Sequence, residues 1–77
     1  MKRQELLDNI KEVLQRDNEL TEDMYLDKIE EWDSLGIIVI SELYEQLFSC
    51  IIPSEELIKC IKVSDLINLG EIDDEIQ

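Results

Sequence analysis

Trp32-Asp33-Ser34-Leu35-Gly36-Ile37-Ile38-Val39-Ile40-Ser41-Glu42-Leu43-Tyr44-Glu45-Gln46-Leu47-Phe48 is the stretch whose reading decides the fold. Its middle, Ile37-Ile38-Val39-Ile40, is β-branched throughout and taken alone reads as a strand. Apolar residues then recur at Leu43, Tyr44, Leu47 and Phe48, the 3–4 spacing of one helical face. That spacing predicts a helix over 34–48, with Leu35, Ile38, Leu43, Leu47 and Phe48 as core contacts. Asp33 caps it, since its carboxylate can accept from N–H groups two or three residues on. Upstream, Leu6, Leu7, Ile10, Val13 and Leu14 predict an amphipathic helix over 3–16. Residues 17–33 are acidic, with scattered apolar positions at Leu20, Met24, Leu26, Ile29 and Trp32. They read as a long loop that packs across the helices, and loops of this length tend to be functional. Downstream, Ser49 to Pro53 is a connector, Ser54 caps a short helix over 55–60, and residues 63–69 form a last helix ending near Gly70. Residues 71–77 read as a frayed acidic tail. The expectation is an all-α domain over 1–77, with three main helices, a short extra one, and a long loop between the first two.

Composition limits what such a domain can do. The chain has 77 residues, with 20 Asp and Glu against 7 Lys and Arg, no His, and a net charge of −13. That charge opposes binding to nucleic acid or insertion into an anionic membrane, both polyanionic, and favours partners with basic surfaces. Without His, the commonest general base and the commonest metal ligand are both missing. Cys50 and Cys60 stand ten residues apart and fit no zinc pattern, so they read as free thiols of a reducing compartment. The start Met1-Lys2-Arg3-Gln4-Glu5 lacks the apolar core of a signal peptide, and a cytoplasmic monomer is expected. Asp17, Glu19, Asp23 and Asp27 miss the calcium-loop spacing and its turn glycine. No metal site is expected.

Ser34 is the residue that can carry chemistry. It follows a capping acid at a helix start, where unsatisfied N–H groups and the positive dipole end favour an anion such as a phosphate ester. Glu30, Glu31 and Asp33 oppose that anion. Ser34 is not a hydrolase nucleophile, because no His serves as its base. A plain capping feature is the simpler reading of the same residues. Gly36, in the first helical turn, sacrifices about 1 kcal/mol of helix propensity relative to Ala. Two readings of it stand: bare backbone for another molecule to approach, or a tight contact with the preceding loop.

Asp33-Ser34-Leu35 resembles the Asp-Ser-Leu signature of acyl and peptidyl carrier proteins. Phe48 at the end of the second helix, Ile52-Pro53 in the connector and Val63-Ser64-Asp65-Leu66 at the last helix stand at the spacings from the serine that this family shows. Trp32-Asp33-Ser34-Leu35 is similar to a branch of stand-alone bacterial carriers, and Gly36 after the Ser-Leu pair resembles D-alanyl carriers. The likeness runs from the first helix to Leu69. It implies that Ser34 receives 4′-phosphopantetheine from coenzyme A through a phosphopantetheinyl transferase, with Asp33 and Leu35 completing the motif. The arm's thiol would hold an acyl, aminoacyl or peptidyl group as a thioester. The chain would do no catalysis, and would present its cargo to a loading ligase or acyltransferase and to downstream biosynthetic enzymes. The resemblance makes the helix that begins at Ser34 the docking surface.

That helix carries only two acids, Glu42 and Glu45, and Gly36 and Val39 stand where fatty-acid carriers often have acids. With Ile37 and Val39 exposed, the partner contact is expected to be apolar and to belong to a specialised pathway. Charge is uneven along the chain: residues 17–33 hold eight acids and one base, while residues 34–48 hold two acids and no base. The expected docking set is therefore Glu30 and Glu31 ahead of the serine, with Gly36, Ile37, Val39 and Glu42 beyond it. The alternative function is an unmodified acidic helical module that binds a basic partner protein.

Overall fold

The computed structural model describes residues 1–70, and the tail expected over 71–77 lies outside them. Among the described residues the order is helix α1 (Arg3–Val13), a 3-10 turn at Leu26–Lys28, and helices α2 (Ser34–Phe48), α3 (Ser54–Ile58) and α4 (Val63–Leu69). The all-α bundle expected from the periodicity is what the chain forms, and the β-branched run 37–40 is helical.

α1 starts where the Lys2 N–H donates to the Glu5 carboxylate at 3.3 Å, a side-chain acceptor for a donor that the helix leaves unpaired. It buries Leu6, Leu7 and Ile10. It stops at Val13, three residues before the expected end. Leu14 closes it and Gln15 turns left-handed with φ 56°. α2 ends the same way at Ser49, with φ 54° and an N–H bond to the Glu45 carbonyl at 2.9 Å.

The buried stripe of α2 is Gly36, Ile40, Leu43 and Tyr44, with Leu47 and Phe48 half-buried beside it. This corrects the expected face. Leu35 is 71% exposed and Ile38 52%, so neither is core. Gly36 sets the rotation, because it packs against Glu31 and Leu14 and turns its neighbour Leu35 outward. α3 begins at Ser54 itself, with Pro53 in the capping position. The Pro53 carbonyl accepts from the Glu56 N–H at 3.0 Å, so Ser54 is not the cap that the sequence suggested.

The long loop is anchored along its length. Leu20, Leu26 and Ile29 are buried in the same core as the helices, and Met24 and Trp32 pack against it. Tyr25 pairs with Lys62 in an isolated antiparallel bridge. Around it the Leu26 N–H donates to the Ile61 carbonyl at 2.8 Å and the Val63 N–H to the Met24 carbonyl at 3.0 Å. Loop and α3–α4 connector thereby satisfy each other's backbone. Arg3 ties the start of α1 to the same region, reaching Glu22 and the Asn68 Oδ1. Among the described residues no helix is long and apolar enough to cross a membrane.

Candidate functional site

Ser34 is the first residue of α2 and is exposed. Asp33 holds an extended conformation just before it, and its Oδ1 accepts the Gly36 N–H at 2.9 Å. The Ile37 N–H donates to the Asp33 carbonyl at 2.9 Å. Among the described residues, the Ser34 and Leu35 N–H groups and the Ser34 hydroxyl make no hydrogen bond. A free hydroxyl thus stands beside two open donors at the positive end of a 15-residue helix.

Glu31 and Gly36 decide how this turn sits. A Cβ at Gly36 would collide with the Glu31 carbonyl oxygen and come within 3.3 Å of the Leu14 Cδ2. Of the two sequence readings for Gly36, the structure shows the tight loop contact. The residue is buried, so the expectation that it offers surface to a partner is corrected. The Glu31 carboxylate is engaged as well, accepting from Arg16 Nη1 at 2.8 Å. Its own backbone N–H, then the Arg16 guanidinium, hold its carboxyl below the ordinary value of 4.5.

The remaining expected docking residues divide by exposure. Glu30 and Glu42 are exposed. Ile37 and Val39, expected to be bare, are half-buried and pack against the core. The apolar side chains that α2 does present are Leu35, beside the serine, and Ile38 one turn on. The helix rotation set by Gly36 causes this exchange of roles. Val39 keeps one edge in an open hollow of about 370 Å³, lined with Leu35, Val13, Leu14, Glu31 and Asp33. Sequence reasoning missed Arg16, which binds Glu31 from 15 residues away. No local pattern links the two, and only the fold brings them together. Neither cysteine is bridged: Cys50 is exposed, and Cys60 is partly buried with its thiol near the Glu56 carbonyl at 3.6 Å.

Comparison with family models, with curated proteins and with solved structures finds no match to this chain.

Proposed function

We propose that this protein is a carrier whose Ser34 is esterified by 4′-phosphopantetheine and whose arm presents an acyl or aminoacyl thioester to partner enzymes. The observation that carries the reading is the exposed, unbonded Ser34 hydroxyl on the first residue of α2, flanked by the Asp33 cap and the exposed Leu35. The group fits the residues around it. A phosphodiester at Ser34 would face the open Ser34 and Leu35 N–H groups, and the Glu31 charge that opposes it is largely met by Arg16.

In this reading a transferase catalyses the loading. The Ser34 oxygen bonds to the phosphorus on the pantetheine side of coenzyme A, and adenosine 3′,5′-bisphosphate leaves with the electrons of the broken P–O bond. The serine proton passes to a base of the transferase. Leu35 and Ile38 form the apolar part of the docking surface, with Glu30 and Glu42 as its acids. A specialised biosynthetic pathway in the cytoplasm is the setting proposed for such a carrier.

The test is intact mass after incubation with coenzyme A, Mg²⁺ and a broad-specificity phosphopantetheinyl transferase. One arm's worth of added mass is expected, and none in Ser34→Ala. No gain with several transferases would sink the reading, and a gain that persists in Ser34→Ala would move the site elsewhere.

A further inference from the structure

Arg16 is held by the backbone before its side chain does anything. The Gln15 N–H donates to the Glu12 carbonyl at 3.0 Å and the Arg16 N–H to the Lys11 carbonyl at 3.1 Å. These are the paired bonds of a Schellman ending, here with Gln in place of the usual Gly. From that fixed root the guanidinium reaches two ways. Nε donates to the Glu19 carbonyl at 3.0 Å and Nη1 to the Glu31 Oε1 at 2.8 Å. One side chain therefore joins the start of the long loop to its finish. The Arg16 side chain is 13% exposed and that of Glu31 28%. Such shelter lessens the screening that makes fully exposed ion pairs weak.

The next link is main chain. The Glu31 carbonyl abuts Gly36 where no Cβ fits, and accepts the Asp33 N–H at 3.0 Å. Asp33 in turn caps Gly36. Ser34 lies between those two residues. We infer that Arg16 is a positioning residue for Ser34: through Glu31 it locks the end of the loop against the first turn of α2 and so fixes where the serine hydroxyl points. The inference rests on the carrier reading. Ser34 Oγ must meet a phosphorus in line as the bond to adenosine 3′,5′-bisphosphate breaks, and a misplacement of about 1 Å can lower such a rate about 100-fold.

The test uses the full chain as Arg16→Gln and as the swapped pair Arg16→Glu with Glu31→Arg. Initial rates of modification are measured against carrier concentration, and amide hydrogen exchange is measured without transferase. In Arg16→Gln, kcat should fall about tenfold, a loss in the reacting geometry, while KM for the carrier stays within about twofold. Exchange should quicken about tenfold at the hydrogen-bonded Trp32, Asp33 and Gly36 amides, while those of Tyr44 and Leu66 in the core hold their rates. The swapped pair should recover most of kcat. A raised KM with unchanged kcat would mean that Arg16 acts in docking, and would overturn the inference. So would unchanged exchange at the first turn, or a swapped pair no better than the single variant. Absence of mass gain in the unsubstituted chain overturns the carrier reading instead. The exchange comparison then still decides whether Arg16 holds the turn, and equal rates would refute it.

Discussion

At Asp33 and Gly36 two substitutions to alanine act through different physics. Asp33→Ala removes the side-chain acceptor of the Gly36 N–H and should cost about 0.5–2 kcal/mol, as cap deletions do. Urea denaturation would show this as a lower midpoint with an unchanged slope. On the carrier reading it should also slow modification of Ser34, and equal rates in the two proteins would refute that second effect. Gly36→Ala sets two terms against each other. Alanine gains about 1 kcal/mol of helix propensity over glycine. Its Cβ, however, meets the Glu31 backbone carbonyl, which cannot swing aside as a side-chain tip can. Overpacking of this kind costs about 1–3 kcal/mol, so a net loss of up to about 2 kcal/mol is expected. A stabilised Gly36→Ala would mean that the loop yields easily and does not fix the rotation of α2. Glu31 adds a dependence on pH. Its carboxyl is held below its ordinary value, so its pairing contributes above that value and fades as pH falls through the lower folded one. Arg16→Gln should narrow the loss of stability on acidification below about pH 4.5.

Between elements, the tie from α2 to α4 is the Tyr44 hydroxyl, which donates to the Leu66 carbonyl at 2.5 Å. α4 ends at Leu69, and the Gly70 N–H bonds the Ile67 carbonyl at 3.0 Å. Tyr44 thus serves a carbonyl near the helix end, where intrahelical donors run out. Its ring also stacks edge-on against Phe48, with centroids 5.5 Å apart. Tyr44→Phe keeps the ring and leaves a buried carbonyl unpaired, at a cost of about 1–3 kcal/mol. Burial pushes the hydroxyl well above its ordinary 10.0. Above that pH the unfolded chain releases a proton that the folded chain keeps, so stability should fall as pH rises past 10. Urea midpoints at rising pH should show the fall, and Tyr44→Phe should lack it. The legibility of the elements follows the range of the forces that form them. The 3–4 spacing through Leu43, Tyr44, Leu47 and Phe48 is local, and α2 formed over the expected 34–48. The Asp33 cap is local too and was equally readable. The rotation of α2 was not, because a loop carbonyl meeting Gly36 decides it and turns Leu35 and Ile38 outward. The early stop of α1 was hidden because Gln15 takes the left-handed turn usually marked by glycine. Arg16 and Glu31 were legible only as two charges, since their meeting depends on the folded path of the loop.

Over the whole molecule, 20 acids face 7 bases, so thirteen carboxylates have no base to match them whatever the pairing. Ion pairs among the described residues include Arg3 with Glu22, Arg16 with Glu31, and Lys59 with Glu56. Paired and unmatched charges respond to salt in opposite senses. If the ion pairs dominated, salt would screen attractions and weaken the fold. If the unmatched acids dominate, salt screens their mutual repulsion and strengthens it. The Lys59–Glu56 pair is highly exposed and contributes little, whereas the excess charge acts across the whole surface. Repulsion should therefore win. Raising NaCl from about 0.01 M to about 0.15 M shortens the screening length from about 30 Å to about 8 Å. Stability should rise by about 1 kcal/mol, seen as about 4–8 °C in Tm for a domain of this size. Acidification is a poorer probe of the same repulsion. It discharges the excess acids, but it also protonates Glu31 and Asp65, whose lowered values mark carboxylates that the fold uses. Salt leaves protonation in place and isolates the repulsive term. A Tm that falls with added NaCl would reverse the argument, and would assign the ion pairs that pin the loop a larger share of stability than the repulsion of the surplus acids.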